Sequence, residues 1–298
     1  MKKFSLAVLS AFTIVFLMGL QAAAQVKKGT TNQGLLYKIS GKDLKKPSYL
    51  FGTIHIICPT DMFSMETLGG YLDQTDQLIM ELDMDDAVEM ELMGTGLVMP
   101  DGKTLSDLLT QAQYAKVDKM FKNNMGVSVD RLKTFKPFML QIMIAANPKA
   151  LGCSPPASYE MSFLQAAAAK KKSIEGLETV SSQFDVMNKN PLEKQAKSLY
   201  KMSLNPQKSF AEFKKLVKVY KAQNSDSLYS TINGQLGGER AFQTALLDER
   251  NKAWIPKIEK AMKEKPAFIA VGGGHLGGKN GVLRLLKARG YQIEAIKL

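Results

Sequence analysis

The chain contains two histidines, and each occupies the last position of the same short pattern. The pattern is Gly-x-x-His, which occurs at residues 52–55 and again at residues 272–275. Each copy follows an apolar run that predicts a β-strand, and ligands in α/β sheets commonly bind where strands end. Neutral imidazole is a strong ligand for zinc and similar ions, so His55 and His275 would supply half of a tetrahedral metal site. The alternative for either histidine alone is a satisfied core or turn residue.

Two acids and one arginine could complete such a site. Glu81 interrupts an apolar run at residues 78–82, and an isolated buried carboxylate is costly, so this side chain must meet water, a partner or a metal. It would serve as a third ligand or as a general base. Glu178 follows a short predicted strand, and Arg250 would stabilise an oxyanion or orient a carboxylate. The alternatives are an ordinary strand-end acid and a surface arginine.

The first 24 residues predict a signal peptide. Lys2 and Lys3 precede an apolar run at residues 6–20, and three alanines at residues 22–24 resemble a signal-peptidase site. The run is shorter than the roughly 20 residues that a membrane span requires, which disfavours the alternative of a retained anchor. We therefore expect an exported protein, periplasmic or secreted, with a signal peptide at 1–24, one domain at 25–298 and no transmembrane span after cleavage.

Export also bears on the two cysteines, Cys58 and Cys153, because an oxidising compartment permits disulfides. A bridge between them would close a loop of about 95 residues and stabilise the fold by on the order of 4 kcal/mol. Two unpaired buried thiols are the alternative.

The formal net charge of +12 is spread along amphipathic segments. Basic residues are not interleaved with aromatic ones, and nucleic-acid-binding motifs are absent, so we expect no nucleic-acid partner. A basic exported protein can associate with an anionic envelope surface. The pattern does not indicate an oligomeric state.

Other catalytic motifs have less support. Gly272, Gly274 and Gly277 form G-x-G-x-x-G between a predicted strand and helix, a pattern typical of dinucleotide binding. His275 occupies the turn of that motif, however, and exported proteins rarely meet free dinucleotide. The sequence also lacks a G-x-S-x-G elbow and an H-E-x-x-H helix, which disfavours a serine hydrolase and an ordinary zincin.

Apolar runs of strand length alternate with longer segments of helical period, which predicts an α/β (α+β) fold. The predicted strands cover residues 35–39, 48–57, 77–82, 172–177, 267–271 and 291–296. The predicted helical regions cover residues 104–147 with an interruption at 133–137, 159–171, 191–263 with breaks near 224–226 and 234–238, and 281–289. This order predicts a mixed sheet built from both chain ends, with a large helical middle packed on it.

With these residues in place, the chain resembles the TraB/GumN family, which includes the Tiki proteases. The matching segments, in order, are residues 49–55, 80–83, 176–179, 247–251, 270–276, 281–283 and 289–291. The resemblance covers nearly all of residues 25–298 and implies a fold like those of erythromycin esterase and the ChaN haem-binding proteins. It also implies that His55, His275 and Glu81 correspond to a metal-dependent peptidase site, with Glu178 and Arg250 at two further family positions.

The first functional hypothesis is therefore an exported hydrolase acting on a peptide or protein substrate. Its cofactor would be a divalent metal ion such as zinc, manganese or cobalt. The second is a non-catalytic protein that binds haem, a metal or an envelope glycan in the same pocket, which two histidines also suit. The third is a structural or regulatory partner protein with a vestigial site.

Overall fold

A computed structural model describes residues 34–235 and 240–298, so the predicted signal peptide at 1–24 lies outside the described residues. The strands are β1 (Leu36–Ser40), β2 (Ser48–Thr53), β3 (Gln77–Met80), β4 (Ser173–Gly176), β5 (Ala267–Gly272) and β6 (Gln292–Ile296). They form one sheet of order β4-β3-β5-β2-β1-β6. Neighbours from β4 to β2 run parallel, whereas β1 pairs antiparallel with both β2 and β6. The predicted mixed α+β fold is confirmed.

The helices fill the connections between strands. They are α1 (Met65–Asp73), α2 (Ala87–Gly96), α3 (Leu105–Leu108), α4 (Gln111–Met125), α5 (Pro137–Ala145), α6 (Pro148–Leu151), α7 (Tyr159–Ala169), α8 (Val180–Asn188), α9 (Leu192–Leu204), α10 (Pro206–Lys221), α11 (Ser225–Gln235), α12 (Arg240–Thr244), α13 (Arg250–Glu264) and α14 (Val282–Ala288). No described helix is long and apolar enough to span a membrane.

The interior is divided between two apolar clusters. The larger one surrounds the sheet, where Phe163 of α7 packs 4.8 Å from Phe268 and 5.8 Å from Phe51, centroid to centroid. The smaller one lies among α3–α6, α9 and α10, with Phe121 and Leu199 fully buried at its centre. The helical middle of the chain therefore has a core of its own beside the sheet.

Several predicted boundaries were wrong. The strand predicted at 48–57 ends at Thr53, because Ile54 and Ile56 leave the sheet while remaining partly buried. Glu81 was predicted inside a strand but is the first residue after β3. The prediction also missed α1, α2 and α8, whereas the interruption at 133–137 was confirmed by a new helix beginning at Pro137. The predicted break at 234–238 falls mostly outside the described residues.

The predicted disulfide pairing is present: Cys58 and Cys153 are bonded, with their Cα atoms 5.8 Å apart. Beside it, the backbone of Ile57 exchanges two hydrogen bonds with that of Ala157, at 3.1 Å and 2.8 Å. The loop after β2 is thus fastened to the segment that leads into α7. The alternative of two unpaired thiols does not hold.

Candidate functional site

The predicted site residues gather at one edge of the sheet. The strands β4, β3, β5 and β2 run parallel, and their registers align Thr53 with Gly272 and Met80 with Gly176. Their carboxyl ends therefore meet at the same edge, where loops converge in sheets of this kind. His55 follows β2, Glu81 follows β3, Glu178 follows β4 and His275 follows β5.

Arg250 links three of these side chains. Its Nη2 donates to Glu81 Oε2 at 2.5 Å and also to Glu178 Oε1, while its Nη1 lies 3.2 Å from His275 Nε2. The Arg250 side chain is 8% exposed, and its Cζ lies 4.8 Å from the centroid of the Trp254 ring, over the ring face. The sequence is consistent with two roles for Arg250, stabilising an oxyanion or orienting a carboxylate. Its hydrogen bonds to Glu81 and Glu178 correspond to the second role.

A π-helical turn precedes this arginine. Residues Ala245–Glu249 adopt it directly before α13 begins at Arg250. Such turns widen a helix locally and frequently occur at functional sites. Arg250 Nη1 also donates to the carbonyl of Leu246 at 3.0 Å, inside the same turn. The irregular turn therefore helps to hold the guanidinium of the arginine in place.

Glu81 is an anchored, charged carboxylate. Its Oε1 accepts from the Gly272 backbone N–H at 2.7 Å, and its Oε2 accepts from Arg250 and from Gln183. Burial by itself raises the pKa of a carboxyl, but the charge of Arg250 and the Gly272 hydrogen bond hold the pKa of Glu81 well below its usual range. Glu81 is thus a weak base and a permanent anion in this arrangement.

Glu178 serves Arg250 and does not border the cavity beside the histidines. Both of its oxygens accept from Arg250 Nε, at 3.0 Å and 3.1 Å. Trp254 Nε1 donates to the same carboxylate at 3.3 Å, and Gln183 donates at 3.1 Å. Because Trp254 and Gln183 also donate to it, the Glu178 carboxylate is held in place and fixes the position of the Arg250 guanidinium.

His275 is a neutral imidazole whose protonated nitrogen can be assigned from its neighbours. The Asn251 amide nitrogen donates to the carbonyls of His275 and Asn280, so its Oδ1 is the atom that faces His275 Nδ1, at 2.6 Å. An amide oxygen only accepts, and Nδ1 therefore carries the hydrogen. Burial, with the nearby positive charge of Arg250, lowers the pKa of His275 to about 3. Its Nε2 is consequently unprotonated, and the lone pair on this nitrogen accepts a hydrogen bond from Arg250 Nη1.

His55 is held differently, by the carboxylate of Glu160. Its Nδ1 donates to Glu160 Oε1 at 2.8 Å, and Thr53 and Ser158 hydroxyls donate to the same carboxylate. The surrounding walls lower the pKa of His55 by limiting solvation, but the hydrogen bond and the charges of Glu160 and Glu81 raise it to about 9. The His55 side chain is 66% exposed, and its raised pKa favours the protonated imidazolium at neutral pH.

The two imidazoles and Glu81 meet around Gly272. A Cβ atom added at this glycine would lie 3.1 Å from Glu81 Oε1, 3.6 Å from His275 Cδ2 and 3.7 Å from His55 Nε2. Glycine at this position therefore keeps open the space that the three side chains share. Across residues 34–235 and 240–298, however, no three His, Cys, Asp or Glu side chains are spaced as metal ligands in their present positions.

The cluster opens into a cavity of about 530 Å³. His55, Glu81, Arg250 and His275 lie at one end of it, and helices α5, α10 and α11 supply much of the remaining wall. A cavity of this size with a few convergent polar groups is the usual form of a small-ligand site.

Sequence reasoning missed Glu160 and gave Asn251 no role. Glu160 stands in a Ser-x-Glu segment at the start of α7, where an acid is common for helix-capping reasons alone. Asn251 follows Arg250 directly but carries no motif of its own. Only the folded chain shows that each accepts a hydrogen bond from the Nδ1 of one histidine.

The chain matches known proteins in two comparisons. The family model described as the TraB/PrgY/gumN family matches residues 35–295. Among curated proteins, Metalloprotease TIKI2 of Xenopus tropicalis is 22% identical, in an alignment that covers 83% of this chain and 57% of that relative. The chain thus spans little more than half the length of the relative. No solved structure gives a significant match, so the likeness to erythromycin esterase and ChaN stays a prediction.

Proposed function

We propose that this chain, which belongs to the TraB/PrgY/gumN family, is a metal-dependent hydrolase that cleaves peptide bonds at the His55–Glu81–His275 cluster. The printed name of its distant relative, a metalloprotease, supports the class of reaction. The residues that would hold a divalent ion are His55, His275 and Glu81. An ion bound there would supply a water molecule of lowered pKa and polarise the scissile carbonyl.

One observation carries the proposal. Each histidine has its Nδ1 bonded to an oxygen acceptor, Glu160 for His55 and Asn251 for His275. Metal-binding histidines commonly bond in this way through the nitrogen that does not face the metal. The Nε2 of His55 and Oε1 of Glu81 both border the space beside Gly272, and His275 Nε2 lies 3.8 Å from that Glu81 oxygen. The donor types suit zinc, manganese or cobalt.

Two present interactions must change when an ion binds. Arg250 Nη1 now donates to His275 Nε2, so a ligand bond from that nitrogen replaces this hydrogen bond. His55 must lose the proton that its raised pKa retains. The positive charge that protonated His55 carries would thus be replaced by the positive charge of the ion.

The remaining residues have separate tasks in this proposal. Glu81 suits ligation better than general-base catalysis, because its lowered pKa makes it a poor proton acceptor. Arg250 keeps Glu81 ionised and lies close enough to steady negative charge that develops on the substrate. Glu178 anchors Arg250, while Glu160 and Asn251 are positioning residues for the two imidazoles.

We also propose that the protein is exported. The Cys58–Cys153 disulfide supports this, because structural disulfides persist mainly in oxidising compartments. Association with an anionic envelope surface remains a prediction from the net charge.

A second candidate function is ligand binding without turnover. The large cavity beside the cluster favours it, since such a cavity also suits a carrier of a small apolar molecule. Haem would be the ligand most easily recognised, through its absorption spectrum.

The deciding experiment is metal analysis of the protein purified without chelator, next to the His55→Ala/His275→Ala double variant. The affinity tag must contain no histidine, because the chain itself has only two. Near-stoichiometric metal and peptide hydrolysis in the wild type, both lost in a folded double variant, are the expected results. The hydrolase proposal is contradicted if the protein takes up no zinc, manganese or cobalt. A Soret band in the purified protein would instead favour haem binding without turnover.

A further inference from the structure

The cavity beside the cluster has two chemically different ends. At one end lie the four polar residues of the site, and the walls beyond them are apolar. Ile142 of α5, Leu216 of α10 and Ile232 of α11 are among these wall residues, which come from separate helices. The walls therefore belong largely to the helical middle of the chain, while the polar end belongs to the loops that follow the strands and to the first residue of α13.

The apolar walls offer nothing to a charged or strongly polar group. Among the described lining residues, the charged side chains are all members of the polar end. Of the neutral polar groups, the Tyr220 hydroxyl donates to the Gly52 carbonyl at 2.9 Å, and the Thr53 hydroxyl donates to Glu160. A polar group placed against these walls would lose its hydration without gaining a partner, which is costly.

The walls also lie directly against the turn that carries His275. A Cβ added at Gly273 would come within 2.6 Å of Leu228 Cδ2, and one at Gly274 within 2.7 Å of Ile232 Cδ1. Helix α11 is therefore packed against the backbone of this turn. A group bound against this part of the wall would lie next to the bond that the site would act upon.

We infer that this cavity is a specificity subsite for a bulky, uncharged aliphatic or aromatic side chain of the substrate, next to the scissile peptide bond. The inference rests on the proposed function and names its substrate class: peptides carrying leucine, isoleucine or phenylalanine beside the cleaved bond. The volume of about 530 Å³ lies within the range of small-ligand pockets and accommodates such a side chain.

The test uses fluorogenic peptides that differ at one residue beside the scissile bond: alanine, leucine, phenylalanine, aspartate or lysine. The metal-loaded wild-type protein should cleave the leucine and phenylalanine peptides with kcat/KM on the order of tenfold or more above the alanine peptide. The aspartate and lysine peptides should fall below alanine. Turnover with no preference for apolar residues overturns the subsite and leaves the hydrolase standing.

Two variants locate the preference in the cavity. Ile142→Lys places a charge on the wall at a residue that is already 42% exposed, and should remove the advantage of leucine and phenylalanine. Ala145→Leu narrows the cavity, and should disfavour phenylalanine more than alanine. The matched control is Leu204→Lys, which adds the same charge at an exposed apolar residue outside the lining and should leave all ratios unchanged. Equal effects of Ile142→Lys and Leu204→Lys overturn the inference.

A binding measurement separates failure of the subsite from failure of the hydrolase. The uncharged dye N-phenyl-1-naphthylamine should fluoresce with the His55→Ala/His275→Ala protein, and leucine or phenylalanine peptides should displace it about tenfold more effectively than the alanine peptide. That result without turnover by the wild type supports recognition of apolar side chains by the cavity and refutes the hydrolase. No dye binding, or displacement by long-chain acyl esters alone, overturns the subsite.

Discussion

His55 and Glu160 are 105 positions apart in the sequence, yet His55 Nδ1 lies 2.8 Å from Glu160 Oε1. The segments that carry them are joined twice more, by the Cys58–Cys153 disulfide and by the backbone hydrogen bonds between Ile57 and Ala157. The histidine after β2 is thus positioned by a helix and not by the sheet alone. A contact with such support is expected to keep its geometry when ligands bind.

This pair predicts an unusual titration of the metal-free protein. His55 should titrate near pH 9, above its ordinary pKa of 6.5, because Glu160 favours the imidazolium. His275 should remain neutral down to about pH 3. With two histidines in the chain, proton NMR of the imidazole Cε1–H resonances in the presence of chelator measures both values, and His275→Ala assigns them.

The Glu160→Gln variant tests whether Glu160 causes the raised pKa of His55. Without the carboxylate, the pKa of His55 should fall toward 6.5. Because the folded pKa of His55 is raised and that of Glu160 is lowered, the ion pair stabilises the fold fully between about pH 4.5 and 6.5. Its contribution is lost as the pH rises through about 9, and also as the pH falls toward about 2. The difference in free energy of unfolding between wild type and variant should therefore shrink as the pH leaves that window in either direction. An unchanged pKa of His55 in the variant would show that Glu160 is not its cause.

Arg250 should be the most sensitive charged residue of the site for stability. Replacing it by glutamine leaves Glu81 and Glu178 buried without their cation, and breaking a buried pair in this way typically costs about 3–5 kcal/mol. Arg284→Gln is the matched control, because its ion pair with Asp226 is exposed and should contribute only about 0–1 kcal/mol. Urea unfolding measures both, and equal losses would contradict the role given to Arg250.

The sequence predicted the candidate site residues better than it predicted the residues that surround them. His55, Glu81 and His275 were selected at predicted strand ends, and Arg250 was selected on a predicted helix. The fold brings all four into one cluster. Their convergence follows from the parallel pairing of β2, β3 and β5. The alternation of apolar runs and helical segments predicted a mixed sheet, but not which strands pair. The metal and the catalysis remain predictions.

Glu160 shows why the rest could not be predicted. Its contact with His55 depends on how α7 packs against the sheet, where Phe163 meets Phe51 and Phe268. A pattern of apolar residues predicts that a helix covers a sheet, but not which polar residue at its end reaches which loop. The same holds for the strand predicted to reach Ile57, since apolar residues buried in a loop resemble apolar residues in a strand.

Removing the disulfide should lower stability substantially. The Cys58→Ser/Cys153→Ser variant is expected to lose about 2–5 kcal/mol in free energy of unfolding, because the bridge limits the unfolded chain over 95 residues. A reductant should lower the free energy of unfolding of the wild type to that of the variant, and should leave the free energy of unfolding of the variant unchanged. Alkylation of both cysteines in the unreduced, denatured wild type, seen as a mass shift, would disprove the bridge.

Gly272→Ala tests whether the space shared by the three donors matters. The backbone at Gly272 has an ordinary φ of −53°, so alanine is conformationally acceptable and any effect arises from the added methyl group. That methyl group would lie 3.1 Å from Glu81 Oε1 and 3.7 Å from His55 Nε2, which displaces the carboxylate and fills the gap. The variant should therefore fold but take up much less zinc, manganese or cobalt than the wild type.

Gly70→Ala provides the control for that substitution. Gly70 lies in helix α1, and an added Cβ there meets nothing within 4 Å, so alanine should raise stability by up to about 1 kcal/mol through helix propensity. Its metal uptake should equal that of the wild type when both are titrated by calorimetry. If Gly272→Ala also binds metal as the wild type does, the three side chains do not hold an ion between them, and the His55–Glu81–His275 site is refuted even if the fold is correct.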